Sequence, residues 1–147
     1  YPDGKYKRTI INLKNYTSKI NTISQQCCEF ATVNPNYLGL KSSYSWMACT
    51  KQNKGNAPLQ SIKKINLETK KELFWSAAPR GFVSEPIMVP LKDSTNEDEG
   101  YLFIVIWNGE RRRSDLIILD SKTLIEIAAY QLPISIPHGL HGSWVNN

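Results

Sequence analysis

The sequence predicts an all-β fold, and three observations predict it. Prolines at 35, 58, 79, 86, 90, 133 and 137 leave few windows in which a helix of about ten residues could run. The apolar stretches are short, rich in β-branched and aromatic side chains, and separated by turn-formers. A strand–turn pattern also returns at nearly constant spacing along the chain.

In chain order the expected strands are Thr9 to Leu13, Phe30 to Val33, Tyr44 to Cys49, Ile62 to Leu67, Leu73 to Ala77, Phe82 to Val89, Tyr101 to Trp107, Leu116 to Leu119, and Leu124 to Leu132. The breaks include Lys54-Gly55-Asn56, Asn108-Gly109 and Asp120-Ser121-Lys122. Within Tyr101 to Trp107 both alternating faces are apolar: Tyr101, Phe103, Val105 and Trp107 on one side, Leu102, Ile104 and Ile106 on the other. A strand of that kind belongs in a sheet covered on both sides. Leu116 to Leu119 reads the same way.

Composition narrows the class without naming a function. The 147 residues amount to one domain, with 41% hydrophobic and 21% charged residues, which excludes disorder, collagen and coiled coil. No stretch is long and apolar enough to span a bilayer. A net charge of +5, with basic residues scattered apart from Arg111 to Arg113, makes no nucleic-acid footprint; those arginines read as a solvated hairpin tip. Three cysteines fit neither a disulfide scaffold nor a zinc site and read as packed thiols in a reducing compartment. The chain begins at Tyr1 without methionine or signal segment, as a cut piece would.

The period is the strongest signal. Ile11-Asn12-Leu13, Ile65-Asn66-Leu67 and Ile118-Leu119-Asp120, each followed by a polar turn, are spaced by 54 and 53 residues. Between them recur Glu29, Glu85 and His141, spaced by 56 and again 56. A repeat in the fifties with about four strands is the mark of a β-propeller. The chain then holds two to three blades, whereas a closed ring needs roughly four to eight, so a piece of a longer chain is expected. The competing fold is a single open β-sandwich in which the spacings are accidental.

On a propeller axis, equivalent residues of successive blades converge. A carboxylate in such an interior needs a hydrogen-bonding or charged partner, and an imidazole whose other nitrogen binds a metal supplies one. On this reading His141 is a metal ligand, and Glu29 and Glu85 orient ligand imidazoles. Taken singly, Glu85 before Pro86 reads as a solvated strand-edge residue, Glu29 as a surface carboxylate, and His141 between glycines as a loop residue. Only the period raises them together. His138 and His141, three apart, point to opposite faces in extended chain and do not read as a chelating pair. Hydrolase, nucleotide and zincin motifs are absent from the sequence.

The segments bearing the period also resemble a family. Phe82-Val83-Ser84-Glu85-Pro86-Ile87-Met88-Val89-Pro90, Glu97 to Leu102, Ser114 to Asp120, and Ile136 to Trp144 are similar to the C-terminal part of carotenoid cleavage oxygenases. Cys28-Glu29-Phe30 resembles that family's Glu-Phe-Pro segment, with Ala31 where proline is usual, and Asn56 to Gln60 looks closest to its cyanobacterial apocarotenoid oxygenases. The resemblance implies that residues 1–147 are the last two to three blades of a seven-bladed β-propeller domain. It implies Fe(II) on the axis, held by four histidines with three glutamates behind them. His141 matches the last histidine, and Glu29 and Glu85 match two of the glutamates; His138 falls at a variable place.

The implied reaction is oxidative cleavage by dioxygen of a conjugated double bond in a carotenoid or apocarotenoid polyene, giving two carbonyl products. No catalytic residue beyond the metal site is required. The remaining ligands lie outside this chain, as does the apolar patch through which family members contact a membrane from the cytoplasm, and the piece alone is expected to be inactive. Two alternatives stand beside this reading: a non-catalytic β-propeller binding module, and a retinyl-ester isomerohydrolase of the same family.

Overall fold

The computed structural model describes residues 4–52, 58–137 and 141–145. Ten strands form two antiparallel sheets among them. The first sheet holds β1 (Lys5–Asn12), β2 (Thr17–Thr32), β3 (Tyr44–Thr50), β4 (Leu59–Asn66) and β5 (Glu72–Ser76) in sequence order. In the second, β8 (Gly100–Asn108) pairs with β9 (Arg113–Asp120), and β9 with β10 (Glu126–Gln131). The other edge of β8 takes two short strands, β6 (Gly81–Val83) and β7 (Ile87–Pro90). The expected all-β class is observed, and the one helical piece among the described residues is a 3-10 turn at Pro35–Tyr37. No helix among them is long and apolar enough to cross a membrane.

The repeated hairpins are one structural device used three times. Asn12 accepts the backbone N–H of Lys14 at 2.9 Å. Asn66 accepts those of Glu68 and Thr69 at 2.9 and 2.8 Å, and Asp120 accepts that of Thr123 at 2.7 Å. A short side-chain acceptor of this kind closes a turn locally, without tertiary help. Four residues further on, each turn leaves through left-handed backbone, at Tyr16 (φ 55°), Lys70 (φ 63°) and Leu124 (φ 59°).

Two boundaries differ from the sequence reading. β2 runs for 16 residues, although the sequence predicts strand only over its last apolar stretch. Its polar first half is held by backbone pairing with β1 rather than by burial, so hydrophobic alternation does not reveal it. Past Cys27 the same strand pairs with β3 instead, and so links two ladders. Conversely, the single strand expected over Phe82 to Val89 is interrupted at residues 84–86. Pro86, fully buried, has no N–H for the ladder, while the Ser84 N–H still reaches the Val105 carbonyl at 3.0 Å.

The main core lies between the sheets. Trp46, Ala48 and Ile62 face Leu102, Ile104, Ile106, Ile117 and Leu119. β3 is buried on both faces, because Met47 and Cys49 enter a second cluster with Cys28, Ile65 and Leu67. On β8 the inward set is Leu102, Ile104 and Ile106, whereas Phe103, Val105 and Trp107 on the other face are half-buried. Trp144 stacks on Phe103 there, with centroids 5.1 Å apart.

A buried polar cluster ties the sheets together at one end. The Glu97 carboxylate accepts the backbone N–H groups of Ser43 and Tyr44 at 2.9 Å, and Asn34 donates to the Glu97 carbonyl at 2.8 Å. Lys64 pairs with Asp98 at 2.7 Å and donates to the Lys122 carbonyl at 2.8 Å. Trp46 Nε1 donates to the Ser121 carbonyl at 2.9 Å. The Arg111–Arg113 tip is less free than expected: Arg111 pairs with Asp115, and Arg113 donates to the Pro133 carbonyl at 2.6 Å. The three cysteines are buried and form no disulfide among the described residues, in keeping with the packed thiols the sequence predicts.

Candidate metal-ligand site

Glu85 sits in the gap between β6 and β7, where Pro86 interrupts the strand and frees the preceding side chain from the sheet's alternation. Its carboxylate is turned toward His141, 56 residues away, with Oε1 at 3.4 Å from the imidazole Nδ1. The backbone N–H of Gly142 donates to Oε2 at 2.9 Å, so one carboxylate grips both the ring and the chain that bears it. The side chain of Glu85 is 20% exposed and that of His141 is 77% exposed. The distance to Nδ1 is at the long end for a hydrogen bond.

Among the described residues no hydrogen bond engages Nε2 of His141. A carboxylate facing Nδ1 favours the neutral tautomer with its proton there and the lone pair on Nε2, which is the polarity of a metal-bound imidazole. The ring lies beside a cavity of about 200 Å³ whose apolar wall includes Ile87, Phe103, Val105 and Leu116. Phe30 meets the ring from another side, edge to face, with centroids 6.0 Å apart and planes at 87°.

Glu29, the third periodic residue, is exposed on β2 opposite Ala48. No hydrogen bond or ion pair joins its carboxylate to His141 among the described residues. Its neighbour Phe30 makes the contact instead. No group of three or more His, Cys, Asp and Glu side chains that could hold a metal occurs among the described residues. His138 lies outside the described residues, as do Asn56 and Ala57.

Comparison with known proteins gives this geometry a context. The chain matches the retinal pigment epithelial membrane protein family over residues 1–146. It belongs to that family. Among its relatives, apocarotenoid-15,15'-oxygenase of Synechocystis is 39% identical over 143 residues, covering 96% of this chain and 29% of that protein. The chloroplastic carotenoid cleavage dioxygenase 8 of Arabidopsis thaliana is 35% identical over 118 residues, covering 80% of this chain and 20% of that one. Cobalt-substituted Synechocystis apocarotenoid oxygenase superposes with a TM-score of 0.94 at 37% identity, over 97% of this chain and 30% of that structure. A chimera of that oxygenase with the retinal pigment epithelial protein superposes equally well, at 0.94. This chain therefore spans under a third of the length of these family members.

The site is legible in part from the sequence. The 56-residue spacing singles out Glu29, Glu85 and His141, and among the described residues the fold joins the last two by a hydrogen bond. Sequence reasoning misses Phe30 and the Gly142 N–H. A backbone donor leaves no trace in side-chain chemistry, and an aromatic residue in a strand reads as core. The adjoining Glu29 is the one available signal for Phe30.

Proposed function

We propose that this chain is the C-terminal part of a non-haem Fe(II) dioxygenase that cleaves a conjugated double bond of a carotenoid or apocarotenoid into carbonyl products. The observation that carries the proposal is the Glu85–His141 pair, with Nδ1 turned to the carboxylate and no hydrogen bond on Nε2 among the described residues. Family membership and relatives named for carotenoid and apocarotenoid cleavage support it. So does a similar structure that takes cobalt, another divalent metal. The two sheets are read as successive blades of a seven-bladed propeller, with residues 1–147 inside its single domain. The three matched hairpins and the passage of β2 from one ladder to the next support that reading.

The residues present fit one corner of an iron site. His141 would hold the metal through Nε2, and the remaining ligands would come from parts of the protein outside this chain. Iron bound there would supply the dioxygen chemistry of double-bond cleavage. Glu85 would fix the tautomer of the ring, and its negative charge would offset part of a divalent cation's charge one bond further out. Gly142 N–H holds the carboxylate in place. Glu29 is assigned a similar orienting role toward a ligand outside this chain. The protein is read as cytoplasmic, with membrane contact through parts outside this chain.

Metal analysis and product analysis of the intact protein test this reading. His141→Ala should lose stoichiometric iron and polyene cleavage together. Glu85→Gln keeps the shape but not the charge, and should weaken iron binding by about 10–100-fold. A His141→Ala protein that retains iron and cleaves an apocarotenal would overturn the assignment. An intact wild-type protein that purifies without iron would instead point to a binding scaffold, and release of retinol from a retinyl ester to an isomerohydrolase.

A further inference from the structure

Six non-glycine residues among those described have positive φ, and five of them, Tyr16, Lys70, Asp93, Arg112 and Leu124, lie in turns or at their ends. Phe30 is the exception: it has φ 55° inside β2. For a bulky side chain in a strand this conformation is sterically costly, and it persists only where surroundings impose it. The register between β2 and β3 shifts between Glu29 and Thr32, so the strand bulges there. A bulge breaks the alternation of faces and re-aims a side chain. Here the re-aimed side chain is the ring that meets His141 edge to face.

We propose that Phe30 is a positioning residue for His141, clamping the imidazole against Glu85 so that Nε2 faces a single direction. The proposal rests on the metal-ligand reading of His141 given above. The side chain of His141 is 77% exposed, and among the described residues Glu85 and Phe30 make the hydrogen-bond and ring contacts that can fix its plane. A hydrogen bond of 3.4 Å restrains Nδ1 but leaves the ring free to tilt about it. An aromatic edge-to-face contact restrains that tilt. Phe30 is itself anchored, because it packs against the core between the sheets. The ring of Phe30 is thus rigid where His141 is not.

The test uses the intact protein, stripped of metal and titrated with Co(II), whose visible absorption reports ligand geometry. Phe30→Leu keeps apolar bulk and loses the aromatic edge. It should weaken Co(II) binding about tenfold, the low end for partners of ligating histidines, and shift the cobalt bands. Phe30→Tyr should restore both. Should Phe30→Leu fail to fold, Phe30→Gly, which suits the positive φ, carries the same expectation. His141→Ala is the control for the underlying reading: unchanged Co(II) binding in that variant sinks the ligand assignment and this inference with it. If His141→Ala loses cobalt while Phe30→Leu keeps wild-type affinity and spectrum, Phe30 is a core residue only and the clamp is refuted.

Discussion

Replacing Asp98 by Asn is the most informative single perturbation of the fold. Lys64 and Asp98 are 5% and 9% exposed, and their charged atoms are 2.7 Å apart. Removing one partner of a buried ion pair strands the other, which costs about 3–5 kcal/mol. Three features pull the value to the lower end. The Lys64 ammonium keeps the Lys122 carbonyl at 2.8 Å, and it lies 4.5 and 5.8 Å from the ring centres of Tyr44 and Trp46. The amide oxygen that Asp98→Asn introduces would also still accept. The expected loss in Asp98→Asn is therefore about 2–3 kcal/mol. Urea unfolding followed by tryptophan fluorescence is a suitable assay, since Trp46 is fully buried beside the pair. Lys64→Met combined with Asp98→Asn removes both charges and should recover at least about 1 kcal/mol of that loss. A loss below about 0.5 kcal/mol in the single variant, or strict additivity in the double, would refute the claim that these charges are desolvated and coupled.

Burial pushes the Cys49 thiol from 9.0 up to about 12, and burial likewise raises Cys28. The folded protein thus keeps a proton that the unfolded chain releases. Stability from Cys49 is full below pH 9 and falls toward pH 12, by at most about 1.4 kcal/mol per pH unit; urea midpoints against pH should fall less steeply in Cys49→Ala. Ile104→Ala, at a fully buried site between the sheets, should cost about 2–5 kcal/mol in the same unfolding assay. Lys70→Gly should leave stability unchanged or raise it by up to about 1 kcal/mol, because φ is 63° there, and a clear fall in the thermal midpoint would show that the lysine's 2.6 Å bond to the Leu67 carbonyl outweighs backbone strain.

Sequence alone determined the β class, most strand positions and the three turns. These depend on neighbours within a few residues: alternation along a strand, and an Asn or Asp side chain accepting from the next backbone N–H groups. It also singled out Glu29, Glu85 and His141 together, since a repeating fold turns a constant spacing into spatial equivalence. Tertiary structure decided the rest. The polar half of β2 is strand because β1 offers it a ladder, and Phe82 to Val89 breaks because Pro86 is buried without a donor. Glu97 and Asp98 lie outside every strand expected from the sequence, yet they close the gap between sheets because Ser43, Tyr44 and Lys64 arrive from more than thirty residues away. The choice of Phe30 over Glu29 to face His141 belongs to the same class. A one-residue bulge reverses which side chain points where, and its cause lies in the pairing with β3 rather than in the local residues.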